Sequence, residues 1–372
     1  MKYRYISGDS HLQTDSKVWV NRVPAEHRDR APRLVRVPDG GDAWFIEGTP
    51  LRKDAGDLYG GKGRDEWQPW GQRYEGTAGT GPSEQRLREQ DIDGIDAEVL
   101  FPAQGGGPRL WRAIVDDEAY LSVVRAYNDW LAEDYCSLNP DRLIGVGVIP
   151  RTNVKDAIAE MERCAQLGLK TVVLNALPSA KSYPTPEDDE FWGAAIRMGM
   201  PITVHPITPK ELGSNTGLFG QVANEKFCRL GAANAVQLIL AGVFDRFPTL
   251  RIDFAENQIG WVPFFLEMAD VRYDRHKDWA ERLLGQKQLK QKPSEYVREH
   301  CYWGFMHDRV GVSIRHEIGV NRLIWATDFP HQESDWPHSL ETAEDAFVGV
   351  PDDERYKIMC GNSIEFFKLS EN

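Results

Sequence analysis

Eight short apolar runs, each followed by a helical or irregular stretch, restrict the possible folds of this chain more than any other feature. They are residues 3–8 (YRYISG), 97–102 (AEVLFP), 143–149 (LIGVGVI), 171–174 (TVVL), 201–205 (PITVH), 250–255 (LRIDFA), a short run near 301–303 (CYW) and 322–326 (RLIWA). Between them, sequence patterning predicts helices from Ser83 and over 117–136, 154–167, 187–199, 219–242, 259–275 and 308–318. Strands that alternate with helices pair in parallel. Eight such repeats in 372 residues predict an α/β fold of the (β/α)8 TIM-barrel type. An open doubly wound sheet is the alternative. It has less support, because Gly105-Gly106-Gly107 lacks the spacing and helix start of a dinucleotide fingerprint.

One domain over 1–372 is expected, with 12–82 as a lid or insertion after the first strand. Within it, VRVPDGGDAWFIEG reads as a hairpin around Asp39-Gly40-Gly41. Irregular segments of this length are functional or disordered. Trp19, Trp44, Trp67 and Trp70 favour an ordered lid or subunit contact. After it, Ser83-Glu84-Gln85-Arg86 has the Ser-x-x-polar form of a helix N-cap, with Arg86 where a capping box places Glu or Gln.

Charge narrows the partners. A formal net charge of −13 disfavours nucleic acid and anionic membrane surfaces. No apolar run approaches the ~20 residues of a membrane span. The start MKYRYISGDSH has no apolar signal region. Five dispersed cysteines without a CxxC read as reduced thiols. A cytoplasmic protein with a small-molecule substrate is expected, as a homo-oligomer (dimer or higher) or within a hetero-oligomer.

The chemistry collects at the strand ends. The first strand is followed by Asp9 and His11, the fifth ends in His205, the sixth leads to Glu256, and the eighth to Asp328 with His331 beyond. In a parallel barrel the carboxyl ends of the strands share one bowl, where active sites are built. Asp9 and His11, two positions apart, share a face of an extended chain. Imidazoles and carboxylates together are ligands for a divalent transition metal. For Asp328 alone the competing reading is a cap of the next turn.

With those residues in view, the chain resembles the amidohydrolase superfamily. The resemblance is to the amidohydrolase-related branch of aminocarboxymuconate semialdehyde decarboxylase-like and resorcylate-type decarboxylases. It rests on Gly8-Asp9-Ser10-His11, Tyr127-Asn128-Asp129-Trp130-Leu131, Pro140-Asp141-Arg142-Leu143, Thr203-Val204-His205-Pro206, Gly260-Trp261-Val262-Pro263 and Thr327-Asp328-Phe329-Pro330-His331. It implies a distorted barrel with a metal held by Asp9, His11, His205 and Asp328. Two positions depart from the family pattern: Asp9 stands where His or Glu is usual, and Glu256 where the sixth strand commonly ends in His. The fourth strand ends in Leu174-Asn175, with no lysine there to become a carbamylated bridge.

The expected cofactor is a divalent metal, zinc first, with iron or manganese as the alternative for a carboxylate-enriched site, which would be dinuclear if Glu256 bridged two ions. Asp328, Glu256 and His331 are the candidate catalytic groups. His307, Gln104, Asn175 and Trp303 are candidate substrate contacts. The expected function is a metal-dependent hydrolase or decarboxylase acting on a small, carboxylate-bearing organic substrate. A dinuclear non-haem oxygenase, or a metal-containing partner subunit of one, is the alternative.

Overall fold

The computed structural model describes residues 3–38, 40–51, 58–68, 70–103, 106–205 and 231–370. Its main sheet has eight parallel strands: β1 (Ile6–Leu12), β4 (Ala97–Pro102), β5 (Leu143–Val148), β6 (Thr171–Leu174), β7 (Ile202–Val204), β8 (Ile252–Phe254), β9 (Cys301–Phe305) and β10 (Leu323–Trp325). Two further strands, β2 (Arg33–Arg36) and β3 (Asp42–Phe45), pair antiparallel as the expected hairpin. The sheet curls until its outer strands meet. The N–H of Asp328 donates to the Asp9 carbonyl at 2.9 Å, and the N–H of His11 donates to the Phe329 carbonyl at 2.7 Å. The result is a nearly closed TIM barrel, with helices between successive strands.

Period-two alternation divides the core. Val99, Phe101, Ile144, Val146, Val173 and Ile324 fill the barrel interior with Ala255 and Tyr302, and Phe366 and Phe367 join this cluster from the C-terminal helix. The alternate set, including Leu100, Val172, Ile252, Phe254, Trp303 and Trp325, packs against the helices. Burying one such aliphatic side chain contributes roughly 1.5–3 kcal/mol, so the two layers together fix strand register.

Several boundaries move from those expected. The first strand continues past Gly8 to Leu12, with a register irregularity between Ser7 and Ser10. Its alternation looks broken in sequence because the bulge carries polar residues into a polar end of the barrel. The helix at 83 begins on Ser83 itself, with Pro82 as a cap that makes no side-chain bond, so Ser83 is not the N-cap. Residues 308–318 form two short helices, Arg309–Ser313 and Arg315–Ile318. The helix expected from 259 runs further, Val262–Leu284. Of the helix expected over 219–242, Gly231–Leu240 is described. Cys136, Cys164, Cys301 and Cys360 are buried and form no disulfide. No helix among the described residues is long and apolar enough to cross a membrane.

Candidate metal centre

Local backbone conformation brings the polar strand ends inward. Gly8 allows β1 to approach β10: a Cβ there would lie 2.1 Å from Ile324 Cγ2. Just above, the hydroxyls of Ser7, Ser10 and Thr327 bond one another at 2.9, 3.0 and 3.1 Å, fastening the seam between the two strands. At the ends of β8 and β10, Glu256 and Asp328 hold φ of 55° and 51°. Non-glycine residues seldom adopt this left-handed conformation, and it costs of order 1–3 kcal/mol. Both side chains that it positions are carboxylates buried among histidines.

His11 is at the middle of the cluster. Its Nε2 lies 3.3 Å from Asp9 Oδ1 and 3.3 Å from Asp328 Oδ1. His205 Nε2 lies 3.7 Å from Asp9 Oδ2 and 3.5 Å from Glu256 Oε2. His331 Nδ1 lies 3.0 Å from Asp328 Oδ1, and its ring stacks on that of His11 with centroids 3.8 Å apart. The other nitrogen of His11, Nδ1, faces the Pro102 carbonyl at 3.1 Å. Donation from Nδ1 to that carbonyl leaves the Nε2 lone pair turned to the centre, as in metal-binding histidines.

A divalent ion fits this arrangement. Both oxygens of Asp9, His11 Nε2 and His205 Nε2 are buried without a hydrogen bond among the described residues. Buried polar atoms are rarely left so. Two ligands each about 2.1 Å from one ion, at angles between square and tetrahedral, stand about 3.0–3.4 Å apart. The separations given above for Asp9, His11, His205 and Asp328 fall at or slightly beyond that range. Asp9, His11 and His205 form one group whose donor atoms lie within 4.8 Å of one another, and His11, Asp328 and His331 form a second. Glu256 is in neither, although it touches His205.

The electrostatics also call for a cation. Burial alone would raise the Asp9 carboxyl, but the neighbouring imidazoles of His11 and His205 hold it down at about 2. Burial would lower His11, yet the carboxylates of Asp9 and Asp328 raise it to about 10. A proton on His11 therefore supplies the positive charge that a metal would otherwise bring. Deeper in the barrel, burial and the Asp9 charge push the Asp253 carboxyl well above its ordinary value, against a bond to Thr203.

The other expected substrate contacts separate. Asn175 lines a slot with His11, Phe101, Pro102, Pro108, Arg109, Val173 and His205; within the described residues this cavity measures about 30 Å³. His307 is exposed and opens onto a different crevice, with Glu333 and Asp335. Trp303 points away from the bowl, packed on Phe254 with centroids at 5.0 Å and edge-on to Trp261 at 5.1 Å. The alternation of β9 sends it to the helix layer, so its placement is that of a packing residue. Gln104 lies outside the described residues. A larger cleft of about 610 Å³, lined by Lys17, Arg36, Tyr74, Glu84 and Trp130 among others, contains none of the six clustered groups.

Sequence reading missed Gln13 and Arg109. The Gln13 amide nitrogen lies 2.7 Å from His331 Nε2. Its signal was the continued two-residue spacing Asp9, His11, Gln13 along one strand face. Arg109 had no comparable signal, since it sits on a four-residue helix, Pro108–Trp111, after an irregular loop.

The sequence profile described as Amidohydrolase matches residues 82–369, more than half of the chain. The chain belongs to the amidohydrolase family. Among relatives of this amidohydrolase, the gamma-resorcylate decarboxylase of Rhizobium sp. (strain MTP-10005) is 26% identical over 303 residues, covering 76% of this chain and 86% of the relative. The crystal structure of an amidohydrolase from Mycobacterium avium subsp. paratuberculosis superposes with a TM-score of 0.77 at 18% identity, covering 100% of this chain and 99% of the other. The 5-carboxyvanillate decarboxylase of Novosphingobium aromaticivorans, solved with manganese and 4-hydroxy-3-methoxy-5-nitrobenzoic acid, superposes with a TM-score of 0.66 at 17% identity, covering 99% and 96%. Both structures share the fold seen here.

Proposed function

We propose that this amidohydrolase is a metal-dependent decarboxylase of small aromatic carboxylates. The observation that carries the proposal is the set of buried, unbonded ligand atoms on Asp9, His11 and His205. Those three residues and Asp328 would hold the ion. Manganese is the first choice, because a donor set this rich in carboxylate is hard and because the related 5-carboxyvanillate decarboxylase carries it. When bound, the ion would act as a Lewis acid toward the substrate carboxylate and an adjacent ring oxygen.

The protein's own groups supply the remainder. Phe101, Pro102, Pro108 and Val173 give the slot apolar walls suited to a flat ring. Arg109 and Asn175 on the same slot would read polar substituents, the guanidinium favouring a phenolate or second carboxylate. Asp328 and His331, 3.0 Å apart, hold the proton for the reaction, with the Gln13 amide fixing the imidazole from its far side. That proton goes to the ring carbon bearing the carboxylate. The bond to the carboxyl carbon then breaks, its electron pair stays with the ring, and carbon dioxide leaves. Glu256, beside His205, tunes the charge of the centre. From the 12–82 segment, the N–H groups of Tyr59 and Gly60 donate to the Pro330 carbonyl at 3.0 and 2.9 Å, which supports reading that segment as a lid. We take it as the cover that excludes water.

The test is carbon dioxide release from a panel of hydroxylated benzoates, including 2,6-dihydroxybenzoate and 5-carboxyvanillate. Chelator-treated protein would be compared with protein reloaded with manganese or zinc. Metal-dependent release from at least one compound is expected. Metal-loaded, folded protein that releases none across the panel would overturn the proposal.

A further inference from the structure

Arg86 is one of the most deeply buried charged side chains in the molecule, at 1% exposure. Its guanidinium joins four groups. Nε and Nη2 donate to the two carboxylate oxygens of Glu98 at 2.6 and 3.3 Å. Nη1 donates to the carbonyl of His11 at 3.0 Å, and Nη2 also reaches the carbonyl of Phe329 at 3.3 Å. The charge lies over the Phe329 ring, 4.6 Å from its centroid. Glu98 in turn is held by the Gln90 amide at 2.8 Å.

The two carbonyls matter because of where they stand. His11 is a candidate ligand, Phe329 follows the candidate ligand Asp328, and the Phe329 carbonyl also accepts the His11 N–H at 2.7 Å. β1 and β10 are not paired in the ladder order of the sheet, and main-chain bonds from His11 and Asp328 join β1 to the chain just past the end of β10. A guanidinium presents several donors in a rigid plane and bridges both carbonyls while its back is held by a carboxylate; an ammonium has three donors on one atom and no such planar fork. A helix residue with no access to the bowl thus grips the backbone on either side of the metal cluster.

We propose that Arg86, oriented by Glu98, is a positioning residue that sets the spacing of His11 and Asp328 and thereby the affinity of the metal centre. The proposal rests on the metal-site reading above, and the experiment separates the two. Full-length protein is stripped with chelator, folding is checked by circular dichroism, and manganese is titrated with binding read by electron paramagnetic resonance. Arg86→Lys is expected to bind manganese about 10–100-fold more weakly than wild type, the usual cost of losing a group that orients ligands. Glu98→Gln, which frees the fork to turn, should weaken it by a smaller factor and serves if Arg86→Lys does not fold. Met161→Ala, a cavity in the core remote from the seam, should lower the melting temperature while leaving the affinity within about twofold, since stability and site geometry are independent there.

Wild-type affinity in folded Arg86→Lys, or in Glu98→Gln if that is the variant obtained, would overturn the positioning role. So would an equal loss in Met161→Ala. If wild-type protein itself takes up no divalent ion, the metal-site reading fails first and this proposal with it.

Discussion

The backbone N–H of Asp328 donates to the carbonyl of Asp9 at 2.9 Å, so the first and last barrel strands meet at the two carboxylates that face His11. Closing the barrel and assembling the candidate centre are therefore one structural event. A ligand pair built across the seam takes its spacing from the fold, while its charge must be balanced locally. The proton on His11 and a bound cation are alternative ways to do so.

That competition predicts opposite pH trends with and without metal. In the apo protein His11 is raised from 6.5 to about 10. Its contribution to stability is complete below about 6.5 and is lost as pH rises through 10. Asp9, lowered from 3.8 to about 2, contributes above 3.8 and loses that contribution as pH falls through 2. Metal binding instead needs His11 Nε2 free. Its affinity should rise about tenfold per pH unit between roughly 6.5 and 10, with about one proton released per ion near neutrality. Calorimetric titration in buffers of differing ionisation heat measures the release. Affinity independent of pH in that window would remove His11 from the ligand set.

Arg109 should affect substrate binding without changing metal content. Arg109→Ala is expected to keep metal content and raise KM about 10–100-fold for substrates with a second anionic group, with kcat changed much less. That is the scale of one charged hydrogen bond, roughly 1.5–3 kcal/mol. Steady-state kinetics on mono-anionic and di-anionic benzoates decides it. Equal losses on both classes would mean that Arg109 shapes the slot without reading charge.

The sequence made the barrel legible because burial on both faces leaves parallel strands as apolar runs, visible at Leu143–Val148 and Thr171–Leu174. It also marked Asp9, His11, His205, Glu256 and Asp328 as candidates, since five polar residues at the ends of four such runs are hard to explain singly as caps or packing. Contacts that depend on how a helix lies over the barrel were not legible. Arg86 looked like a flawed capping residue, and its partners are 12, 75 and 243 positions away. Trp303 was read toward the substrate because its place in the strand alternation could not be settled from a three-residue run. Asp253 passed as an ordinary strand position, because the burial of one acid within an apolar run has no mark in sequence.

The tight passage of β1 over β10 gives a stability prediction. Gly8→Ala would place a methyl 2.1 Å from Ile324 Cγ2 and 3.4 Å from the Trp325 carbonyl oxygen. The strands must separate, at a cost of about 1–3 kcal/mol, typical of overpacking. Ile324→Ala alone opens a cavity and costs about 2–5 kcal/mol. Combined, the changes should relieve each other by about 1 kcal/mol or more, since contacting residues are not additive. Denaturant melts of the four proteins in the cycle test this, and strict additivity would mean that the clash is absorbed elsewhere.

Glu256 gives the last prediction, because its environment sets it apart from the ligands. It meets the centre at His205, 3.5 Å away, and among the described residues it falls outside both groups of converging donor atoms. Its left-handed φ of 55° nevertheless places it there at a backbone cost, which a passive residue would have little reason to bear. A buried carboxylate against a ligand imidazole adds electron density to that ligand and negative charge to the site. Glu256→Gln keeps the shape and the hydrogen-bonding capacity but removes the charge. We expect the variant to retain its ion, with affinity reduced less than tenfold, because no metal bond is lost. Turnover should fall by about 10², at the lower end of what a charge placed for proton transfer contributes. Metal content per chain and kcat, measured on the same preparation, separate the outcomes. Loss of an ion would make Glu256 a ligand and revive a two-metal centre. Full loading with wild-type turnover would reduce it to a packing partner of His205.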